Sequence, residues 1–294
     1  MKKILFLFTF FLLTVPFTLK ATLNLTGQFD WNSPSVKKLC PAVSYFTCRL
    51  TTPREMEIVA MKVDLTDPKI KFQMTKRASN WGTKMPGFED KFVIRTARET
   101  CRVTMRRYLK NNINMVAIIN GSPWSPWQKP FNHPYADRQG LIVDNGQIVA
   151  PPLKGRPAFV VTKDGKYFFK TILEKTDISN YLHAISGFSF VLNDGQVTKS
   201  KVKNLAPRTG YGLSKDNKTL YLFVVDGRQP KFSMGMAVYE VGEFLKYLGS
   251  HSGLNMDGGG SSTIIIKDGK DTKMLNHQKW GERTVGGAMG IIYQ

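Results

Sequence analysis

Apolar residues in this chain come in short blocks, most of them closed at once by glycine, asparagine or aspartate. Met56-Glu-Ile-Val-Ala-Met-Lys-Val-Asp64 and Ile70-Lys-Phe-Gln-Met74 read as strands on either side of a Thr66-Asp-Pro68 turn. Met115-Val-Ala-Ile-Ile119 and Thr219-Leu-Tyr-Leu-Phe-Val-Val225 are continuous apolar runs, the pattern of strands covered on both faces. Ala288-Met-Gly-Ile-Ile-Tyr293 supplies the last strand. Three hairpins are predicted at Gly140–Val149, Ala158–Phe169 and Phe188–Val197. They centre on Asn145-Gly146, Asp164-Gly165 and Asp194-Gly195, dipeptides that tolerate positive φ at both turn positions.

Helical spacing is rarer. Ala97, Cys101, Met105 and Leu109 recur every four residues, while Arg98, Arg102, Arg106 and Lys110 fall one position later. This predicts a helix with a solvated basic face. A second helix is predicted from about Ser233, as its cap, through Ala237, Val241, Phe244, Leu245 and Leu248, with Gly249 as the stop. The fold class expected is α/β of the α+β type: a single mixed-sheet domain over residues 55–294, with many strands, few helices and a cleft at strand ends. Residues 22–54 read as a polar, aromatic and irregular leader segment.

The N-terminus changes the picture of where the protein works. Lys2-Lys3 precedes a short apolar run, interrupted by Pro16 and followed by Lys20-Ala21. That is the layout of a signal peptide over residues 1–21, too short for a bilayer span of about 20 apolar residues. A secreted or periplasmic protein, free of the membrane after cleavage, is expected. The chain of 294 residues carries a net charge of +20, of which Lys2, Lys3 and Lys20 would leave with the leader. So basic a surface suits an anionic partner, and export argues against nucleic acid. Oxidising surroundings would permit a Cys40–Cys48 staple, leaving Cys101 buried on a helix.

Candidate chemistry clusters where buried strands end beside glycine: Ile119-Asn120-Gly121, Val225-Asp226-Gly227-Arg228 and Met256-Asp257-Gly258. A rigid sheet can present side chains to a cleft at such ends. Gly258, Gly259 and Gly260 could form a nest of N–H donors for an anion, and Ser261, Ser262 and Thr263 add hydroxyls. Arg208, Arg228 and Arg283 lie in loops flanking strands, and guanidinium forks match phosphate. The segment lacks the lysine of a P-loop and the closing glycine of a G-x-S-x-G elbow.

Four blocks then appear in an order and spacing that resemble one family: Pro207-Arg-Thr-Gly-Tyr-Gly212, Val225-Asp-Gly-Arg-Gln229, Ser233-Met-Gly-Met236, and Leu254-Asn-Met-Asp-Gly-Gly-Gly-Ser-Ser-Thr263. With Ile118-Ile-Asn-Gly121 and Gly281-Glu-Arg-Thr-Val285, they are similar to the phosphodiester glycosidase family over roughly residues 55–294. Met256 replaces the usual leucine, and Ser122-Pro123-Trp124 stands where the family commonly has glycine and aromatic residues. The resemblance implies hydrolysis of a sugar–phosphate phosphodiester at the glycosidic C1–O bond. On that reading Asp257, then Asp226, are the catalytic acids, and Arg208, Arg228 and Arg283 hold phosphate. Asn120, the three glycines, Ser261 and Ser262 orient substrate oxygens. Glu240 is a reserve acid or a helix cap. No cofactor is expected, although two acids could also ligate a divalent cation. Two other readings stay open: a glycosidase for ordinary polysaccharide linkages, with two carboxylates at a fixed separation, and a non-catalytic binder of anionic glycopolymers.

Overall fold

The strands predicted at Met56–Asp64, Ile70–Met74, Thr219–Val225 and Ala288–Tyr293 form with those limits in the computed structural model, which describes residues 23, 30–128 and 132–294. The expected leader, residues 1–21, lies outside the described residues. Among the described residues no helix is long and apolar enough to cross a membrane. Strands dominate, and only two α-helices of eight or more residues occur among those residues: α1, Cys101–Lys110, and α2, Val238–Leu248.

The reason for continuous rather than alternating apolar strands is visible in the layering. An eight-stranded sheet carries Met56–Asp64, Thr219–Val225, Arg208–Leu213 and Ser252–Asn255 side by side in that order. On one face Val59, Met61, Val63, Leu222 and Val224 meet the inner faces of two five-stranded sheets. On the other face Ile58, Ala60, Phe223 and Val225 meet Val241, Phe244 and Leu245 of α2. The five-stranded sheet around Met115–Asn120 is covered outside by α1, where Cys101, Met105 and Tyr108 pack on Ile118 and Ile265. The result is a sandwich of sheets with one helix on each outer side, so both faces of each central strand need apolar residues. Every ladder among the described residues is antiparallel, so the sheets mix with helices but not in strand direction.

Several local expectations change. Residues 22–54 are not irregular throughout: strands Lys37–Cys40 and Val43–Leu50 extend the eight-stranded sheet past Met56–Asp64. Cys40 pairs with Val43 across their hairpin, while Cys48 lies five residues further along the second strand. At about 3.3 Å per residue that is too far for a disulfide, and all three cysteines are free. Asn145-Gly146 and Asp194-Gly195 both take positive φ as predicted. At Asp164-Gly165 only the glycine does, because four residues separate the strand ends there. Helix α2 begins at Val238, not near Ser233; Glu240 caps it by accepting the Ala237 N–H at 2.7 Å and pairing with Arg54. Glu240 is thus a structural acid. Gly249, at φ 112°, stops the helix as predicted.

Candidate active site

The register of the eight-stranded sheet brings the predicted residues to one end of it. Arg208 pairs with Val225, so Arg208 and the following Asp226 share an edge. Gly210 pairs with Asn255, which carries Met256 and Asp257 to the same edge. Asn120, ending a strand of the facing sheet, closes the gap between sheets. Its Nδ2 donates to the Asp257 carbonyl at 2.7 Å, and its Oδ1 accepts from Thr209 Oγ1 at 2.8 Å and Thr263 N at 3.0 Å. Asn120 is fully buried with its amide engaged on both atoms. It therefore fixes the sheet ends and does not line the cavity at this end, where the orienting role expected of it would place it.

A cavity of about 550 Å³ opens at this end. Asp226, Arg228, Arg283, Gly259, Gly260 and Ser262 line it, with Gln278 and Trp280 among the other walls. Asp226 Oδ1 accepts from Asn276 Nδ2 at 3.0 Å and Oδ2 from the His277 N–H at 2.7 Å. Burial outweighs these bonds and pushes its pKa up to about 6. Asp257 is 1% exposed and lies behind the glycine turn, outside the cavity lining. Burial raises its pKa to about 7 against the opposing pull of Ser261, the Gly258 N–H, Arg283 and Trp124. Its Oδ1 accepts the Gly258 N–H at 3.0 Å, but Oδ2 closes no hydrogen bond. Ser261 Oγ and Trp124 Nε1 approach this carboxyl closely enough to favour its charge without closing a hydrogen bond, and Ser262 Oγ closes none either; all three are buried. Polar atoms left unbonded in a protein interior are costly and concentrate where a ligand completes them.

The triple glycine has a different use from the one its sequence suggested. A three-donor anion nest does not form, because the Gly258 N–H bonds the Asp257 side chain and the Gly259 N–H bonds the Pro207 carbonyl at 2.8 Å. Instead each glycine admits a close neighbour. A Cβ on Gly258 would fall 2.9 Å from the Pro207 carbonyl and 3.6 Å from Arg208 Cα. On Gly259 it would meet the Arg228 guanidinium at 3.3 Å, and on Gly260 it would overlap Arg283 Cζ at 2.5 Å. The turn is bare so that guanidinium groups can rest against its backbone.

The arginines differ in their freedom. Arg208 donates Nε to the Met236 carbonyl at 2.9 Å and Nη2 to the Asn204 carbonyl at 2.8 Å, so it braces two loops beneath the cavity. Burial and the charge of Arg228 lower its pKa. Arg228, with φ 59°, is exposed at the cavity wall. Burial lowers the Arg283 pKa, the Asp257 charge opposes this, and Arg228 repels it. Like charges held this close favour an anion between them.

Several site residues carry no signal in sequence. Arg98, read as part of a wet helix face, precedes α1 and is 7% exposed. Its guanidinium lies 4.0 Å over the Trp124 ring, donates to the His133 carbonyl and Thr284 Oγ1, and has its pKa lowered to about 10 by burial and Arg283. Arg102 and Arg106 do face acids, Glu282 and Asp271. Asn276 also anchors the Ser262 carbonyl and Ile264 N–H, and Gln278 anchors the Ser262 carbonyl and the Arg283 N–H. Nothing in Asn276-His-Gln278 marks it: no glycine turn and no strand end. Their spacing from Asp226, about fifty residues, is closed only by the fold. His251 faces Asp194. Among the described residues no three of His, Cys, Asp and Glu gather as metal ligands would.

A profile of the phosphodiester glycosidase family matches residues 114–292, which contain all of the blocks above. Among solved structures, the zebrafish N-acetylglucosamine-1-phosphodiester alpha-N-acetylglucosaminidase catalytic domain, auto-inhibited by its pro-peptide, superposes with TM-score 0.59 at 19% identity. That match covers 90% of this chain and 85% of the other. A hypothetical protein from Synechocystis gives TM-score 0.59 at 11% identity, covering 90% of this chain and 64% of that one. A putative exported protein from Burkholderia pseudomallei K96243 gives 0.53 at 14%, covering 81% and 74%. At these identities the structures speak to the fold alone. No curated protein sequence matches. The profile covers more than half of the chain, and this protein belongs to the phosphodiester glycosidase family.

Proposed function

We propose that the protein hydrolyses a sugar-1-phosphodiester at the glycosidic C1–O bond, acting outside the cytoplasm on envelope or extracellular glycoconjugates. The observation that carries this is one cavity that joins two arginines, Arg228 and Arg283, to a carboxyl, Asp226, titrating near neutrality. The basic and apolar pattern of residues 1–21 supports export.

The chemistry follows from the leaving group. A phosphate monoester departs as a stable anion, so it needs charge stabilisation more than a strong general acid. Arg228 and Arg283 take the phosphate oxygens. With a pKa of about 6, Asp226 is mostly ionised at neutral pH and can accept a proton from water. That water adds to C1 as the C1–O bond breaks; the electron pair of that bond leaves with the phosphate, and the water proton passes to Asp226. Asp257 sits one layer deeper, beside Ser261 and Arg283, and its field orients the guanidinium. This reverses the order expected from sequence, since Asp226 meets the cavity and Asp257 supports it.

The test is hydrolysis of a glycosyl-1-phosphodiester in ¹⁸O-water, with products read by mass. C1–O cleavage places the label in the free sugar. Label in the phosphate, or full activity in Asp226→Asn with an intact fold, would refute the assignment.

A further inference from the structure

A groove of about 620 Å³ runs between the last turn of α1 and the hairpin that joins Ile264–Asp268 to Asp271–Met274. A hollow of about 400 Å³ continues it, because Asn114, Lys267 and Gly269 line both. Neither shares a residue with the cavity that holds Asp226. The strand Met115–Asn120 separates the two regions. Asn114 precedes it at the groove and Asn120 closes it at the cavity end, about 20 Å along at about 3.3 Å per residue.

The charge of the groove is one-sided. Arg106, Lys110, Lys267 and Lys270 line it against one acid, Asp271. Arg106 neutralises that acid, with Nε donating to Oδ1 at 2.9 Å and Nη2 to Oδ2 at 3.2 Å. Asp268, ending the adjoining strand, does not line the groove. The ion pairs among the described residues include none of the three lysines. The basic stripe of α1 therefore ends here in a different state from its middle, where Arg102 and Arg106 face Glu282 and Asp271. One of the lysines is held in place: Lys267 Nζ donates to Asn114 Oδ1 at 2.8 Å, and Asn114 Nδ2 donates to the Tyr293 carbonyl at 2.9 Å. That leaves the ammonium two further protons to donate. A concave wall of one charge focuses its field on an anion.

The lining chooses among anionic partners. No aromatic side chain lines either hollow, so nothing there stacks on a nucleobase. None of the exposed large apolar side chains lies in the groove, so a lipid surface finds no anchor. Asn112, exposed at φ 59°, adds an amide that can both donate to and accept from hydroxyls. Spaced cations with amides between them match a chain that carries carboxylates and hydroxyls in turn.

We propose that this groove binds an acidic polysaccharide, whose carboxylates meet Lys110, Lys267 and Lys270 and whose hydroxyls meet Asn112. The site stands apart from the reading given under Proposed function, because binding is measured without turnover. Fluorescently labelled oligogalacturonate is titrated with the protein at about 50 mM salt and followed by anisotropy. The native protein should bind it, leave uncharged maltooligosaccharide free, and bind single-stranded DNA and phosphatidylglycerol vesicles of equal charge more weakly. Lys110→Gln/Lys267→Gln/Lys270→Gln should weaken binding by about tenfold, the sum of three exposed charge contacts. Lys154→Gln/Lys170→Gln/Lys175→Gln removes the same charge from exposed positions in and beside the strands Arg156–Thr162 and Tyr167–Ile172, and should change it by less than about twofold. If the first triple variant does not fold by circular dichroism, Lys110→Gln/Lys270→Gln leaves the Lys267–Asn114 bond intact and should weaken binding by about fivefold. Native protein that does not bind oligogalacturonate would overturn the proposal. So would equal weakening by the control lysines, or equal or tighter binding of the DNA or the vesicles.

Discussion

Gly260→Ala should damage activity without damaging the fold. The added Cβ would stand 2.5 Å from Arg283 Cζ, 2.6 Å from Nη2 and 2.9 Å from Nε. Non-bonded carbons rest at about 3.5 Å, so the guanidinium must retreat by about 1 Å. The obstacle is the end of a flexible side chain, and Gly260 has no positive φ, so the backbone can stay where it is. A displacement of about 1 Å in a charge-stabilising group costs roughly 100-fold in rate, and losing such a donor outright costs about 10²–10³. Stability should hold or rise by about 0.4–1 kcal/mol, because alanine restricts the unfolded chain. The assay pairs kcat/KM on a glycosyl phosphodiester with urea unfolding, in the native and Arg283→Ala backgrounds. If Gly260 acts through Arg283, the substitution costs about 100-fold in the first background and little in the second. Equal losses in both backgrounds, or an activity loss that tracks unfolding, would refute this account of the triple glycine.

Other outcomes follow from the same geometry. Asn120→Ala removes three buried hydrogen bonds at the cavity end, two of which join the two sheets. It should destabilise the protein by about 3 kcal/mol in urea titration, and a change below about 1 kcal/mol would show the bonds to be dispensable. The raised pKa of Asp257, from an ordinary 3.8 to about 7, means that the folded state holds a proton the unfolded state releases. Its contribution to stability is therefore full below pH 4 and is lost as pH rises toward 8, on the order of 4 kcal/mol. Asp257→Asn should remove that part of the pH slope and be the more stable protein at neutral pH; a native slope of the opposite sign in this window would contradict the burial argument.

What could be read from residues alone was whatever depends on neighbours in sequence. The strand at Thr219–Val225 followed from a continuous apolar run, because two-sided burial leaves no polar face to encode, and that at Met56–Asp64 from a largely apolar block set off by the Thr66-Asp-Pro68 turn. Turns at Asn145-Gly146 and Asp194-Gly195 followed from local φ preference. The acids, arginines and glycines of the site were marked by their position at strand ends. The start of α2 was not legible, since Ser233 serves the Asp226 carbonyl at 2.6 Å and Glu240 supplies the cap. The strands at Lys37–Cys40 and Val43–Leu50 were missed because they extend the sheet at its edge, where alternation is weak.

Roles within the site belonged to the tertiary structure. Asn120, Asp226 and Asp257 look alike in sequence, each a polar residue ending a strand before glycine. Packing separates them: Asn120 binds the sheets together, Asp257 is sealed beneath the turn, and Asp226 faces the cavity. Arg98 and Arg106 share one helical stripe in sequence, yet one is buried against Trp124 and the other pairs with Asp271 in solvent. Sequence specifies which groups are available and where the chain turns. Burial and the distances between groups far apart in the chain decide which of them hold a proton, which brace, and which meet a ligand. Those quantities arise only when separate strands are laid side by side.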